Sequence, residues 1–246
     1  MKYSMKEKVS FYNIKPEEIT GLYPEITRTY QQAFAGEPWF EVSKCADSDK
    51  PKRCTGGFSP LCIGDFCQVC QSLINIPAYE KEELIRKFEY LAATRPTRWY
   101  VEKNDKEEIT LAAVAWTTTK SKLFKERYAD VPKMREWLND RLMYEEQFVW
   151  LDDIFADKVK SPSGNLANFY DMCRDFTQEL NQDIIAFRTI NPRIISAVKR
   201  DFPPSQYYSE IFEANDSDLN RRDFVPDRRN FIIIKRFSKK GGGCGR

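Results

Sequence analysis

The sequence contains no histidine, and this absence narrows the chemistry that its residues can perform. Ser-His-Asp and Cys-His catalysis, histidine general bases and zinc sites with imidazole ligands are excluded. A metal site in this chain must use thiolates or carboxylates. A proton-transfer step must use a carboxylate, tyrosine, lysine, cysteine or water.

The sequence also lacks a long apolar run and an excess of either charge. No run approaches the roughly 20 apolar residues of a membrane-spanning helix, which predicts no membrane association. The formal net charge is +2, with acids and bases mixed along the chain, which argues against nucleic-acid and polybasic membrane-binding proteins. Residues 1–9 are charged and carry no secretory signal, so we expect a cytoplasmic protein.

Seven cysteines are present, and five of them lie between positions 45 and 70. In a reducing compartment such a cluster indicates a metal site more often than a disulfide framework. Two of them, separated by two residues, form a chelating pair on a tight turn, and without histidine the natural site is a four-cysteine tetrahedral zinc centre. We predict that the structural zinc ligands are Cys45, Cys54, Cys67 and Cys70.

Several alternatives to this ligand set stay open. Cys62 either packs as a small apolar residue or replaces one of the four ligands. Disulfides, unligated thiols and an iron–sulfur cluster are the other interpretations of the cluster. A redox protein using the Cys67–Cys70 pair is disfavoured, because no thioredoxin-like strand precedes it. The small basic group of Lys50, Lys52 and Arg53 gives little support for nucleic-acid binding.

Hydrophobic periodicity predicts an alternation of strands and helices around one core, since 41% of the residues are apolar and 14% are aromatic. We predict one domain over residues 1–238, interrupted by a cysteine-rich insertion over 43–72 and followed by a flexible Gly-rich tail over 239–246. Pro132 is expected to interrupt a helix over 122–142. The other predicted helices cover 15–35, 79–93, 164–180 and 191–200, and the predicted strands cover 8–14, 98–103, 108–118, 146–156, 184–190, 207–214 and 230–237.

Apart from the insertion, this order resembles the GNAT acetyltransferase family over residues 8–40 and 95–237. The resemblance is strongest over 149–202. It implies an α+β fold in α/β/α layers, with a mixed central sheet and helices on both faces. It also implies an acyltransferase that uses acetyl-CoA as cosubstrate and a primary amine as acceptor, by direct attack in a ternary complex.

In this family a central strand runs into a loop that cradles the pyrophosphate of acetyl-CoA, and the corresponding stretch here is residues 158–167 (KVKSPSGNLA). Unpaired N–H groups and the dipole at a helix N-terminus favour an anion. Gly164 matches the family pattern, whereas Ser161 and Leu166 depart from it, so an ordinary strand-loop-helix connection is the alternative. The resemblance implies cofactor contacts at Phe155, Ala156, Lys158, Lys160, Ser163, Gly164, Asn165, Leu166 and Ala167.

Residues 184–202 resemble the family's next strand and short helix. In the family this strand and its parallel neighbour splay apart, and the pantetheine arm lies in the opening. The resemblance assigns Arg188 and Asn191 to cofactor binding, although capping of the following helix is an alternative role for Asn191. Binding of an acidic group on the acceptor, or of a phosphate, is the alternative role for Arg188. Val198 stands where the family often has a tyrosine that protonates the departing thiolate.

The candidate bases are carboxylates, because the acceptor amine must lose a proton. Asp152 and Asp153 are adjacent on a predicted strand and are expected to face opposite sides, so we choose Asp153 as the base and Glu41 as the second candidate. Strand-end caps or ion pairs are alternative roles for the two aspartates. The stretch over residues 30–39 (YQQAFAGEPW) resembles the helix-to-loop junction that borders the acceptor site in some GNAT subfamilies.

Two functions follow from these patterns. The first is an N-acetyltransferase with an unidentified amine acceptor. The alternative is a catalytically inactive GNAT-like binding module whose zinc region recruits a protein or nucleic-acid partner. A protein partner or a homodimer is also compatible with the sequence.

Overall fold

The computed structural model describes residues 12–14, 16–35, 41–45, 58–59, 63–74, 76–127, 132–157, 169–189, 191–212 and 230–237. The strands within these ranges are β1 (Tyr12–Ile14), β2 (Ser43–Lys44), β3 (Phe58–Ser59), β4 (Ile76–Pro77), β5 (Thr97–Lys103), β6 (Ile109–Thr119), β7 (Gln147–Ala156), β8 (Ile184–Thr189), β9 (Tyr207–Phe212) and β10 (Asn230–Arg236).

The helices follow the predicted order along the chain. They are α1 (Pro16–Ile19), α2 (Tyr23–Ala35), α3 (Lys81–Thr94), α4 (Lys120–Arg127), α5 (Pro132–Asn139), α6 (Phe169–Glu179) and α7 (Pro192–Asp201). Pro132 begins α5, which confirms that it interrupts the predicted helix over 122–142. No helix in the described part of the chain is long and apolar enough to span a bilayer.

The strands form a mixed sheet of seven and a small sheet of three. The order in the large sheet is β1-β5-β6-β7-β8-β10-β9, in which β1 pairs with β5 and β10 pairs with both β8 and β9 in antiparallel register, whereas β7 and β8 are parallel. The small sheet has the order β3-β2-β4 and is antiparallel. The sequence predicted the large sheet but not the small one.

The chain divides into two compact units. The first unit contains Met1–Ala115, Asp152–Asn165 and Arg221–Pro226. The second contains Trp116–Leu151, Leu166–Asn220 and Asp227–Arg246.

The core of the first unit is built by one face each of α2 and α3 and by the strands beside them. The apolar residues of α2 recur every three or four positions, so they share one helix face, as the sequence predicted. Leu84 and Phe88 of α3 recur at the same spacing, and the alanines of β6 leave room for close neighbours. The buried cluster contains Ile19, Tyr23, Ile26, Tyr30, Ala33, Phe34, Leu84, Phe88, Trp99, Val101, Ile109, Ala112, Val114 and Phe155.

The predicted first helix is interrupted by a 3₁₀ turn over Thr20–Leu22. Pro24 has no N–H to donate to the carbonyl of Thr20, and Gly21 is a poor helix former. The N–H of Tyr23 bonds that carbonyl instead, which is the tighter 3₁₀ pattern. A single helix over 15–35 was therefore wrong in this detail, although α2 ends at Ala35 as expected.

In the second unit, α6 packs against α7 and against β8, which is buried along most of its length. The apolar faces of these helices are Phe169, Met172, Cys173 and Phe176 on α6, and Ile194, Ala197 and Val198 on α7. Cys173 is a core residue, as expected, and burial raises the pKa of its thiol. Trp137 of α5 packs against Phe231 of β10, with 5.8 Å between ring centroids.

Phe88→Ala should lower the free energy of unfolding by about 3–5 kcal/mol, because removing a large buried ring leaves a cavity. Phe88 is 0% exposed, and its ring centroid lies 5.1 Å from that of Trp99. Urea unfolding followed by circular dichroism measures the change. Tyr90→Ala on the same helix is the control, since Tyr90 is 60% exposed and should cost less than about 0.5 kcal/mol. Equal stability of the two variants would contradict the assigned core.

Candidate functional site

Two adjacent carboxylates, Asp152 and Asp153, lie near the end of β7 and share one ammonium group. Lys87 Nζ of α3 donates to Asp153 Oδ2, and the same Nζ lies 3.5 Å from Asp152 Oδ2. The side chains of Asp152 and Asp153 are only 5% and 13% exposed. Two neighbouring charges with so little water contact need a counter-ion, and Lys87 supplies it.

This arrangement corrects one expectation. Alternation along a strand predicted that Asp152 and Asp153 would be separated by the sheet, yet both carboxylates reach the same nitrogen. The long side chain of Lys87 bridges them from α3, so alternation of the two side chains does not keep their charges apart. The ion-pair interpretation of both aspartates is confirmed, and the role of Asp153 as a base stays a prediction.

Tyr30 of α2 completes the surroundings of Asp153. Its hydroxyl donates to Asp153 Oδ1 at 3.5 Å, and Lys87 Nζ lies 5.5 Å from the centroid of its ring. A cation at this distance from an aromatic face is attracted by the ring. Asp153 therefore accepts from a hydroxyl and an ammonium group, next to an aromatic surface.

Glu41 lies beside a second tyrosine of the same aromatic group. The hydroxyl of Tyr79 donates to Glu41 Oε2, and the ring of Tyr79 packs edge-on against Tyr30, with 5.0 Å between centroids. Burial and then the acidic groups around it, including Tyr30, Glu41 and Asp153, raise the pKa of Tyr79 above its ordinary value of 10. Both predicted bases, Asp153 and Glu41, thus border the Tyr30–Tyr79 pair.

Sequence reasoning did not identify Lys87 and Tyr79 as members of this group. A signal for Lys87 was present, because it lies three residues after Leu84 and four before Leu91, on the buried stripe of α3. A lysine in such a stripe requires an acidic partner. Tyr79 carried no comparable signal, because its position depends on the pairing of β2 with β4, which the sequence did not predict.

On the side predicted for pantetheine, the structure resolves the role of Asn191. Its Oδ1 accepts from the N–H of Arg193 at 3.0 Å, and Pro192 follows as the first residue of α7. This is an N-cap, so the capping alternative is confirmed. Arg188 is half-buried on β8, where it is in register with Phe231. Contact of either side chain with a cofactor stays a prediction.

The predicted phosphate loop lies outside the described residues, and with it Lys158, Lys160, Ser163, Gly164, Asn165, Leu166 and Ala167. The two residues before it are described. The ring of Phe155 is buried in the core of the first unit, 4.9 Å from the Tyr30 centroid, whereas Ala156 is half-buried. Packing against Tyr30 occupies the Phe155 ring, and contact of Phe155 or Ala156 with a cofactor stays a prediction.

The parallel pairing of β7 with β8 is short. It joins Val149–Leu151 to residues 185–187, whereas β7 continues to Ala156 and β8 to Thr189. Within the described residues, the two strands are therefore not paired throughout their length. The opening for pantetheine stays a prediction.

Three of the predicted zinc ligands come together in the insertion. The sulfurs of Cys45, Cys67 and Cys70 all lie within 4.8 Å of one another. Cys45 and Cys67 are buried, and Ile74 packs against them. Cys54, the fourth predicted ligand, and its alternative Cys62 lie outside the described residues.

The local backbone explains how Cys67 and Cys70 approach each other. The N–H of Gln71 bonds the carbonyl of Cys67 at 2.9 Å, and the N–H of Cys67 bonds the carbonyl of Ser72 at 2.8 Å. Gln71 has a φ of 59°, which lets the chain reverse tightly after Cys70.

The distances between the sulfurs fit a thiolate metal site. Zinc–sulfur bonds of about 2.3 Å in tetrahedral geometry place two sulfurs ~3.8 Å apart. Cys45 Sγ and Cys70 Sγ are 3.5 Å apart, close to that spacing and well beyond the roughly 2.05 Å of a disulfide bond. The donor set is therefore suited to zinc.

Tyr79→Phe should make stability less sensitive to alkaline pH. Above pH 10 the unfolded chain loses the Tyr79 proton while the folded chain retains it, so folding stability falls as the pH rises, by up to about 1.4 kcal/mol per pH unit. Urea unfolding between pH 9 and pH 11 measures the slope. The variant should remove this contribution, whereas Tyr144→Phe, at an exposed position, should keep the wild-type slope. Identical slopes for all three proteins would contradict the burial of a protonated Tyr79.

Comparison with known proteins shows which solved structures have a similar fold. No family model and no curated protein matches the chain. Among solved structures, a mosquito arylalkylamine N-acetyltransferase-like protein superposes with a TM-score of 0.51 at 8% identity, over 93% of this chain and 99% of that one.

Two further structures are similar over much of their length. One, described as histone acetyltransferase HPA2 and related acetyltransferase from Corynebacterium glutamicum, has a TM-score of 0.49 at 11% identity over 92% of this chain and 94% of that one. The other, a polyamine N-acetyltransferase from Drosophila melanogaster, has a TM-score of 0.48 at 10% identity over 92% and 97%. The superposition on the mosquito protein, with the mixed sheet and its helices, shows that this chain has the α+β fold of GNAT acyl-CoA N-acyltransferases.

Proposed function

We propose that the chain is an N-acetyltransferase that moves an acetyl group from acetyl-CoA to the primary amine of an unidentified acceptor. The observation that carries this proposal is the carboxylate of Asp153, held by Lys87 and Tyr30 near the end of β7 in a chain with the GNAT fold. A carboxylate in this position suits the removal of a proton from an acceptor ammonium group.

The transfer takes place by direct attack in a ternary complex. Asp153 accepts one proton from the ammonium group, and the amine nitrogen then forms a bond to the thioester carbonyl carbon. The carbon–sulfur bond breaks, and CoA leaves as the thiol after the nitrogen gives up its second proton. Glu41, which accepts from Tyr79, is the second candidate base. Positioning of the two substrates supplies much of the rate in a reaction of this kind.

The proposed acetyl-CoA contacts are those that the sequence assigned. The loop over residues 158–167 binds the pyrophosphate, Asn191 contacts the pantetheine arm, and Arg188 also contacts the cofactor. The fold, which is that of GNAT acyl-CoA N-acyltransferases, supports this assignment.

Acetyl-CoA should raise the melting temperature, because a ligand that binds only the folded chain stabilises it. Free acetate at the same concentration should not. Asp153→Asn should lower kcat for acetyl transfer by about 10²–10⁴-fold while the Kd for acetyl-CoA stays within about twofold, since the substitution removes a proton acceptor. Calorimetry and a thiol-release assay with a panel of primary amines measure these quantities.

The control for Asp153→Asn is Asp140→Asn, which changes an exposed carboxylate on the surface and should leave both constants unchanged. No binding of acetyl-CoA at millimolar concentration would overturn the transferase proposal. Full activity of Asp153→Asn with loss in Glu41→Gln would move the base to Glu41.

We also propose that Cys45, Cys54, Cys67 and Cys70 hold one structural Zn²⁺. The proximity of three sulfurs supports this proposal, and a reducing compartment such as the cytoplasm would keep them available as thiolates. Zinc in a four-thiolate site has no open position, so its contribution is structural rather than catalytic.

Purified protein should contain about one zinc per chain, and Cys70→Ser should lower that content strongly, because three thiolates hold the metal less well than four. Elemental analysis by mass spectrometry after gel filtration measures it. Cys173→Ala removes a buried thiol of the second unit and should leave the zinc content unchanged. Loss of zinc in Cys62→Ser but not in Cys54→Ser would replace Cys54 as the fourth ligand. Equal zinc content in all variants would contradict the site.

One observation favours the alternative of a binding module. Four large apolar side chains in the insertion and directly after it are exposed, and an exposed apolar group can mark a protein interface. They are Ile63, Phe66, Val69 and Leu73. The acetyl-CoA binding experiment separates the two functions, because a binding module without the cofactor should show no thermal stabilisation.

A further inference from the structure

We propose that the metal bound by the cysteine cluster positions Glu41 and Tyr79, so that the insertion orders the acceptor side of the reaction. Two short segments connect the cysteine cluster with Glu41 and Tyr79. We call these segments, residues 41–45 and 76–79, the linking strands. This inference rests on the transferase and the zinc site proposed above.

The first linking strand has a proposed base at one end and a metal ligand at the other. Glu41 and Cys45 are four residues apart, which limits their separation to about 14 Å even in an extended chain. Between them, Ser43 and Lys44 form β2. Because only three residues separate Glu41 from Cys45, a displacement of Cys45 also moves Glu41.

The second linking strand repeats this arrangement. Ile74, which is packed against Cys45 and Cys67, precedes β4, and Tyr79 follows it by two residues. Ser43 is in register with Pro77, and the N–H of Ala78 donates to the carbonyl of Val42 at 3.1 Å. The two linking strands are therefore hydrogen-bonded to each other along their length.

At the end that carries Glu41 and Tyr79, the linking strands are hydrogen-bonded to α2. The N–H of Glu41 donates to the carbonyl of Phe34 at 2.8 Å, and Gln31 Nε2 donates to the carbonyl of Tyr79 at 2.7 Å. The hydroxyl of Tyr79 then donates to Glu41, which joins the two strands once more.

The end of the linking strands next to Cys45 depends on the cysteine cluster for its stability. A sheet of two-residue strands is too short to be stable without further support. Among the described residues, the buried apolar group there consists of Cys45, Cys67 and Ile74, with Cys70 at its edge. Metal–thiolate bonds to these cysteines would add a strong restraint on this end, because binding of the metal is coupled to local folding.

Hydrogen exchange of the full-length protein tests the inference without relying on catalysis. Removal of zinc by a chelator, or by Cys70→Ser, should speed exchange at the amides of Glu41 and Ala78 at least about tenfold, since local opening follows loss of the restraint. Peptides from β8 and β10 should change less than about twofold. Added zinc should restore protection in the chelated wild type but not in Cys70→Ser, and Cys173→Ala should behave like wild type.

Unchanged exchange at Glu41 and Ala78 after zinc has left would overturn the inference. An equal rise in β8 and β10 would also overturn it, because the metal would then support the whole fold rather than the linking strands. These results are independent of acetyl transfer, so a failure of the transferase proposal would be recognised separately, by the absence of acetyl-CoA binding.

Kinetics test the functional consequence. Zinc removal should raise the KM for the acceptor amine at least about tenfold while the KM for acetyl-CoA stays within about twofold. Tyr79→Phe, which keeps all thiols, should raise the acceptor KM with full zinc content. An equal effect on both substrates would contradict a role confined to the acceptor side.

Discussion

The ion pair between Lys87 and the two aspartates of β7 is the interaction on which the candidate site depends. Without the ammonium group, two adjacent and nearly buried carboxylates would repel each other, and protonation or exposure to water would relieve the repulsion. With it, Asp153 is held beside the Tyr30 hydroxyl. The core of the first unit, through Phe88 and its neighbours on α3, therefore also sets the place of Lys87.

The same ion pair shows which kind of charged group fits beside Asp152 and Asp153. An ammonium group already lies between carboxylate oxygens and an aromatic face. Carboxylates and aromatic rings are the groups that bind primary ammonium ions elsewhere in proteins. A cationic acceptor would need contacts of the same kind as those that Lys87 makes with Asp152, Asp153 and the Tyr30 ring. The proposed amine substrate is thus consistent with the local charge.

The sequence predicted the large elements well, because their signal is periodic. Tyr30 and Phe34 fall on one helical face, the short apolar run in β10 marks a buried strand, and Pro132 interrupts a helix for a reason that acts within a few residues. The cysteine cluster was predictable too, because ligand spacing is a local property. Three of its predicted members meet in space.

The composition of the site was harder to predict, because it depends on contacts between distant residues. Glu41 and Tyr79 are separated by 38 positions and are brought together by strands of two residues, which have too little periodicity to be recognised. Asp153 and Lys87 are 66 positions apart. In both cases one partner was predicted and the other was not, because charge or aromatic character alone does not indicate which residue lies opposite.

In the proposed mechanism, the buried Val198 bears on how the sulfur of CoA obtains its proton. It stands where the resemblance to the GNAT family places a tyrosine, and a valine has no proton to give. Tyr79 is a poor substitute, because its raised pKa makes it a weak acid and its proton is committed to Glu41. The acceptor itself resolves the difficulty, since a primary ammonium group that becomes an amide releases two protons, and only one is needed to form the CoA thiol. On the proposed mechanism, therefore, a single carboxylate and the substrate's own second proton are sufficient, and a dedicated acid on α7 is not required.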